Sequence, residues 1–124
     1  MVTLHQIMLY AVDQEKIARF WIDNLGFQEV GRQNYGDTFA IELADGSGTT
    51  TKLVLQNKVA VAARQPELTL ATPSILLQGT DLPALHARLK AAGGFVGDLV
   101  TFPGCKQVFN FADPESNYFA IIEA

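Results

Sequence analysis

The sequence predicts an α+β fold in which one domain of 124 residues is built from two βαβββ modules. The main observation is an internal repeat, since residues 12–27 align with residues 80–95 without a gap and Asp13 falls on Asp81. Each copy follows an apolar run typical of a strand and carries apolar residues at helical spacing. One strand–helix unit therefore occurs twice, 68 residues apart.

The first module is predicted over residues 1–56. A strand candidate ends at Asp13, whose carboxylate can accept hydrogen bonds from the free amides of a helix N-terminus. An apolar stripe that includes Trp21 follows, and Gly26 can take the left-handed conformation that ends a helix. Three more strands are expected, separated by segments rich in turn-forming residues. All the strands predicted in this module cover residues 3–12, 27–32, 38–44 and 50–56.

The second module, over residues 74–124, repeats this order after a linker. Residues 57–73 are interpreted as the linker because they hold two prolines and show no clear period, with room for a short helical turn at residues 59–63. The second helix is capped by Asp81 and tolerates Pro83 in its first turn. The strands predicted in this module cover residues 74–79, 95–98 or beyond, 106–111 and 118–123.

Composition and charge exclude several classes of partner. The net charge is −4 and the basic residues are scattered, which argues against nucleic acid. No apolar run approaches the roughly 20 residues that span a bilayer, so we expect no membrane partner. The first residues lack the basic stretch of an export signal, and Cys105 is the single cysteine. We therefore expect a cytoplasmic protein.

Three stretches of the chain resemble one known superfamily. The vicinal oxygen chelate superfamily, which includes glyoxalases, dioxygenases and bleomycin-resistance proteins, has a similar opening, a similar repeated helix and a similar closing turn. Ser116 departs from the glycine that this turn usually contains, and a residue other than glycine resists a positive φ. We expect that turn either to be strained or to adopt another geometry. The matching stretches are 13–27, 93–95 and 111–117, and residues 66–68, 72–74 and 117–120 also resemble a subgroup of small bacterial members.

The resemblance implies a fold, an assembly and two kinds of site. Two modules with curled mixed sheets would surround a cleft, and two chains would form a homodimer. Enzymatic members bind a divalent metal ion at the cleft floor, through His, Gln or Glu side chains from the first and last strands of each module. Members that bind bleomycin lack the metal ion and hold the drug between subunits.

The metal-ligand positions implied by the resemblance carry weak ligands in this chain. The family's first ligand stands seven residues before the capping Asp, which gives Gln6 and Ser74. The other positions fall on Ala120 and on Val54, or on Gln56 if the strand register is one pair different. A catalytic zinc site usually needs three ligands of His, Cys or carboxylate type. We therefore expect no metal ion and no other cofactor.

No catalytic residue is predicted, because no pair of nucleophile and base stands out. Lys106 beside Cys105 could make the thiol reactive, although a small apolar residue at the start of a strand explains Cys105 more simply. His5 lies one residue from Gln6, and one step along a strand turns a side chain to the opposite face. We expect His5 to be partly buried near the first helix. Whether the chain is an enzyme stays open, and the absence of strong metal ligands argues against it.

A binding cleft is supported by alternation along the predicted strands, since every second residue faces the same side. Counting from Gln6 and Ser74 collects aromatic, aliphatic and neutral polar side chains, which is the usual lining of a small-molecule pocket. The same set also fits plain core packing. The face on which Phe109 lies cannot be derived from the sequence. The predicted ligand-binding residues are Gln6, Met8, Tyr10, Gln56, Ser74, Leu76, Gln78, Phe109, Tyr118 and Ala120.

Three functions of different classes agree with these observations. We favour metal-independent binding of an apolar or aromatic small molecule, in the manner of bleomycin-resistance members. The alternative is a metal-dependent lyase or dioxygenase of the glyoxalase type with atypical ligands. A structural or regulatory dimer whose cleft is filled by side chains is the third hypothesis.

Overall fold

The computed structural model describes residues 1–104 and 106–124, which form two compact units. The first unit comprises residues 1–72 and the second comprises residues 73–124. Both hypotheses about Cys105 concern a position outside the described residues. No helix in the described ranges is long and apolar enough to cross a membrane.

The first unit contains a four-stranded mixed sheet in the order β1-β4-β3-β2. Strands β1 and β4 pair in parallel, whereas β4 with β3 and β3 with β2 pair antiparallel. Helix α1 connects β1 to β2 in the chain, and α2 follows β4. The elements are β1 (Gln6–Ala11), α1 (Gln14–Leu25), β2 (Gln28–Asn34), β3 (Phe39–Ala44), β4 (Lys52–Asn57) and α2 (Lys58–Arg64).

Helix α1 is capped at both ends, by Asp13 at its start and by Gly26 at its end. The Asp13 carboxylate accepts a hydrogen bond from the Lys16 amide at 3.1 Å, and Gly26 has a φ of 75°, the left-handed conformation that glycine adopts without penalty. Trp21 is 0% exposed, and its ring meets that of Phe27 edge to face at 4.9 Å between centroids. The apolar residues of alternate strand positions are buried with it. These are Leu9, Ile41, Leu43, Leu53 and Leu55.

The side-chain amide of Gln14 joins α1 to strands β3 and β4, and its burial was not predicted from the sequence. Gln14 is 3% exposed, and its Nε2 donates to the carbonyl oxygens of Phe39 at 2.6 Å and Leu55 at 2.9 Å. Its Oε1 accepts from Asn57 at 3.3 Å, and the Asn57 Oδ1 in turn caps α2 by accepting from the Ala60 amide. The segment interpreted as a linker therefore starts with a helix, seven residues long, that is tied to the sheet.

The second unit repeats this architecture with a sheet in the order β5-β8-β7-β6. Strands β5 and β8 pair in parallel, and the remaining pairs are antiparallel. Helix α3 buries three leucines at helical spacing, and the aromatic residues of β7 and β8 on one face are buried as well. The elements are β5 (Leu76–Gly79), α3 (Leu82–Ala91), β6 (Val100–Thr101), β7 (Gln107–Ala112) and β8 (Tyr118–Glu123).

The strand predicted from residue 95 to residue 98 or beyond is not continuous. Only Val96 forms a bridge there, with Phe111, and β6 itself has two residues farther along. Gly97 donates its amide to the Asn110 carbonyl at 2.7 Å, and a Cβ on Gly97 would lie 3.3 Å from that oxygen. The His86 Nε2 donates to the Gly97 carbonyl at 2.8 Å. The His86 side chain on α3 therefore donates to the Gly97 carbonyl, which would otherwise accept a hydrogen bond from an adjacent strand.

Two outcomes were expected for the closing turn before β8, a strained backbone or another geometry, and the structure shows the strained backbone. Ser116 has a φ of 63°, so a serine occupies the left-handed region that favours glycine. Buried Asp113 organises the turn, because its Oδ1 accepts from the amides of Glu115 at 2.9 Å and Asn117 at 3.0 Å. These hydrogen bonds hold the turn in a shape that Ser116 alone would disfavour.

The fold class predicted from the sequence is confirmed. Both units have the βαβββ order, both sheets are mixed, and each sheet has four strands with a parallel pair at one edge. The first strand of each unit starts later than predicted, at Gln6 and at Leu76.

Replacing Trp21 by alanine should lower the free energy of unfolding by about 3–5 kcal/mol, because a fully buried indole leaves a cavity that the sheet cannot close. Chemical denaturation followed by circular dichroism measures this loss. Lys16→Ala, on the exposed side of the same helix, is the matched control and should change stability by less than about 0.5 kcal/mol. A loss below about 1 kcal/mol for Trp21→Ala would contradict the packing described for α1.

Candidate functional site

Each sheet has one face packed with buried apolar residues. We call the other face the open face, because it carries exposed side chains such as Met8 and Leu76, although Val54 and Ala40 on it are buried. In the second unit the register places Asn110 beside Ala120 and Ala120 beside Leu76, so these residues share the open face. Phe119 and Ile121, which alternate with Ala120, are buried on the other face. The open face is where side chains remain available to a ligand.

A hollow of about 460 Å³ lies on the open face of the second sheet. It collects residues from the segment before β5, from the segment after α3, and from β7 and β8. Its volume lies within the range of ordinary ligand pockets, which runs from about 300 to 1,000 Å³. The hollow is lined by Ser74, Ile75, Phe95, Asn110, Tyr118, Phe119 and Ala120.

Two aromatic rings form the most prominent wall of this hollow. The rings of Phe95 and Tyr118 meet edge to face, with centroids 5.7 Å apart and planes at 72°. Both side chains are exposed, so their apolar surface is not buried in the core. Ala120 leaves space beside them, while the Ser74 hydroxyl and the Asn110 amide supply neutral hydrogen-bonding groups. This arrangement suits a planar or aromatic molecule with a few polar atoms.

The structure brings together some of the predicted ligand-binding residues of the second module and not others. Ser74, Tyr118 and Ala120 line the hollow. Leu76 shares their face through its pairing with Ala120, and Gln78 through its pairing with Ile122, but neither lines the hollow.

Phe109 does not reach this open face. It is 2% exposed, pairs with Ile121 on the covered face, and its ring lies edge to face with that of His86 at 5.0 Å. The expectation that Phe109 contacts a ligand beside Ala120 is therefore corrected, because the packing of α3 draws this ring into the core. Asn110, the next residue, takes the open position instead.

Sequence reasoning missed four of the lining residues, Ile75, Phe95, Asn110 and Phe119, of which Phe95 and Asn110 add an exposed ring and a polar group to the hollow. The signal for Phe95 was its place at the end of the repeat, directly after the glycines that stop α3. The signal for Asn110 was its polar character between Phe109 and Phe111, because the aromatic pair belongs to the core face. Neither Phe95 nor Asn110 can be assigned to the hollow unless the sheet face that α3 covers is known.

In the first unit the predicted residues share the open face of the first sheet. Met8 is exposed and Tyr10 half-buried, while Leu9 between them is buried on the opposite face. Gln56 pairs with Tyr10, and the Gln56 Nε2 donates to the Met8 sulfur at 3.6 Å. His5 is exposed just before β1, which corrects the expectation that it is partly buried near α1.

A carboxylate that sequence reasoning left unassigned also lies on this face. The Gln6 Nε2 donates to the Glu42 Oε2 at 3.2 Å, although the two residues are on strands separated by β4. Opposite Glu42 on β2 stands Gly31, where a Cβ would lie only 2.5 Å from the Glu42 Oε1. Within β3, Glu42 alternates with Ile41 and Leu43 and lies on the opposite face from them, but no local pattern indicates its partner on β1.

The donor groups on these faces do not suit a catalytic metal ion. On the first sheet Glu42 provides a carboxylate, Gln6 and Gln56 provide amides, and Val54 offers no donor atom. In the second unit Ser74 and Tyr118 provide hydroxyls, Asn110 provides an amide, and Ala120 offers nothing. No group of three His, Cys, Asp or Glu side chains that could hold an ion occurs within residues 1–104 and 106–124. A catalytic zinc site usually has three protein ligands of these types.

The shifted ionisable groups lie away from the open faces. The Arg32 guanidinium donates two hydrogen bonds of 2.9 Å to Glu29 and holds the pKa of that carboxyl below its usual value. Arg32 also pairs with Glu15 on α1, on the covered side of the sheet. In the turn after β3, hydrogen bonds from the Ser47 amide and hydroxyl lower the pKa of Asp45. These pairs are exposed and organise edges and turns.

The comparison with protein families gives one match that spans almost the whole chain. Residues 3–121 match the model of the glyoxalase/bleomycin resistance protein/dioxygenase superfamily. No curated protein sequence matches at a significant level.

Solved structures with the same fold have low sequence identity to this chain. TnmS3, an antibiotic binding protein from Streptomyces sp. CB03234, is 23% identical with a TM-score of 0.77, over 99% of this chain and 96% of that one. A superfamily member from Sphaerobacter thermophilus DSM 20745 is 19% identical with a TM-score of 0.76, over 100% and 98%. Lactoylglutathione lyase from Agrobacterium tumefaciens is 15% identical with a TM-score of 0.72, over 98% and 93%. At these identities the likeness shows the fold alone.

Proposed function

This chain belongs to the glyoxalase/bleomycin resistance protein/dioxygenase superfamily, and we propose that it binds an apolar or aromatic small molecule without a metal ion. The family resemblance seen in the repeat and the closing turn is thereby confirmed. The observation that carries the proposal is the hollow of about 460 Å³ on the open face of the second sheet. Its aromatic wall and neutral polar groups match the chemistry of an uncharged planar ligand.

The exposed aromatic pair is the main reason to assign a ligand here. A protein that used this face only for its own packing would bury Phe95 and Tyr118, as it buries Phe109 and Phe111. Burying an aromatic ring against a ligand removes apolar surface from water, which makes the free energy of binding more favourable. Edge-to-face contacts between rings make it more favourable still. The antibiotic binding protein with the same fold offers a precedent for the function and no information on which molecule binds.

Screening of aromatic antibiotics and metabolites by thermal shift should find compounds that raise the melting temperature, since a ligand that binds only the folded state stabilises it. Ala120→Phe should abolish the shift because the new ring fills the hollow. Ile122→Phe is the matched control, because it places the same ring two residues away on the same strand face. If no compound stabilises the wild-type protein, or if both variants respond alike, the hollow is not the binding site.

Metal independence is proposed from the donor groups, and it separates this function from the alternative. On the first sheet, a metal-dependent lyase or dioxygenase with atypical ligands would have only the Glu42 carboxylate and the Gln6 and Gln56 amides for its ion, a set with a single charged group. The lyase from Agrobacterium tumefaciens has the same fold, so the fold itself does not decide between binding and catalysis.

Protein purified without a chelator should contain no stoichiometric zinc, nickel, manganese or iron by inductively coupled plasma analysis. Addition of EDTA should leave its melting temperature unchanged, because an ion bound to the folded state would contribute to stability. Stoichiometric metal together with a lower melting temperature in EDTA would favour the enzymatic alternative.

A homodimer and a cytoplasmic location complete the proposal. Leu76 is 62% exposed on the edge strand β5, and Phe102, next to the edge strand β6, is 52% exposed. Exposed apolar side chains and open strand edges favour a partner that covers them. A second copy of the chain is the partner we propose. The cytoplasmic location rests on the single cysteine in the sequence.

Sedimentation velocity at micromolar concentration should show a dimer, and Leu76→Asp should shift it toward monomer by placing a charge in the apolar contact. Leu68→Asp, at an exposed leucine outside the strands, is the control and should leave the assembly unchanged. A wild-type protein that sediments only as a monomer would contradict this part of the proposal.

A further inference from the structure

We propose that Glu42 on the open face of the first sheet is an anionic anchor for a small organic cation, a protonated amine on an apolar body. The proposal stands on residues of the first unit and does not rest on the hollow of the second. It assigns a binding role to the pair formed by Glu42 and Gln6.

The carboxylate of Glu42 is held from two sides. The backbone register aligns Met8, Val54, Glu42 and Gly31 in one row across the four strands. At the end of this row the missing side chain of Gly31 leaves the space that the Glu42 Oε1 occupies. From the other side, Gln6 reaches over β4 to donate to the Oε2 at 3.2 Å. The carboxylate therefore has a defined position before any ligand binds.

Two apolar residues next to this carboxylate on the open face are buried. Val54, beside Glu42 on β4, is 2% exposed, and Ala40 on the same strand face is fully buried. Glu42 itself is only half-exposed. A charged group moved partly out of water needs hydrogen bonds or an opposite charge to recover its lost hydration.

Protein cations do not supply that opposite charge. The ion pairs found among residues 1–104 and 106–124 join Arg19 to Asp23 and Arg32 to Glu15 and Glu29. Lys52 shares the open face with Gln6, but its Nζ donates to the Thr50 carbonyl at 3.0 Å.

The hydrogen-bonding capacity of the pair exceeds what the protein uses. A carboxylate offers about four acceptor positions, and in the described ranges only Gln6 donates to this one. An ammonium group has three donors and would engage the carboxylate and the Gln6 carbonyl oxygen together. Met8 and Tyr10 beside them provide surface for the apolar body of the ligand. One carboxylate and one amide are too few ligands for a metal ion, so an organic cation is the occupant that fits.

The test compares two probes of the same shape, 2-naphthylmethylamine and 2-naphthylmethanol, by titration in ¹H–¹⁵N correlation spectra. In the wild-type protein the amine should bind at least about tenfold more tightly than the alcohol, because a hydrogen bond between two charged groups is stronger than one that involves a neutral donor. The largest shifts should occur at the Gln6 side-chain amide and the Glu42 and Val54 backbone amides. High salt should reduce the preference.

Glu42→Gln keeps the shape and removes the charge, so it should bring the affinities for amine and alcohol within about twofold of each other. Glu67→Gln, which removes the same charge from an exposed loop residue, should leave the preference for the amine intact.

Two results would overturn the assignment. One is equal affinity for both probes in the wild-type protein, or no binding of the amine near Glu42, a result that requires no variant to fold. The other is a lower melting temperature for Glu42→Gln with an unchanged preference, which would make the pair purely structural. Shifts confined to Ser74, Tyr118 and Ala120 are one form of the first result, and they would leave the proposed function in place.

Discussion

The burial of one face of each sheet is the constraint on which the rest of the structure depends. Because successive strand residues point to opposite sides, packing Trp21 and its neighbours against one side leaves every alternate residue on the other. A shift of one residue in any strand would exchange the two faces. The positions of Glu42, Tyr118 and Ala120 on open faces therefore follow from the core, although none of them contributes much to it.

The alternation of the strands was readable from the sequence wherever a strand had a clear reference point. The capping residues Asp13 and Asp81 indicated where the first strand of each unit ends, and the shared face of Gln6, Met8 and Tyr10 follows from alternation along that strand. Strand β7 offered no such reference. Its sequence alternates Gln107, Phe109 and Phe111 with smaller or polar residues, and only the side covered by α3 decides which set is buried.

The remaining features depend on contacts between residues far apart in the chain. Gln6 and Glu42 are separated by 36 positions, and their hydrogen bond exists because β4 enters the sheet between β1 and β3. No local pattern contains that strand order. Gln14 posed the same difficulty, since a glutamine in the first turn of a helix is normally exposed. Its burial follows from two carbonyl groups at strand ends that need a donor.

The two units show how a repeated fold acquires faces of different chemistry. The residues that match between the repeats are those that cap α1 and α3 and pack them against the sheets, because these positions determine whether the unit folds. The open faces carry no such requirement. One of them therefore holds a carboxylate fixed between an amide and a glycine, while the other holds two aromatic rings beside an alanine. Where a face is free of the demands of the core, its side chains can be selected for what they bind.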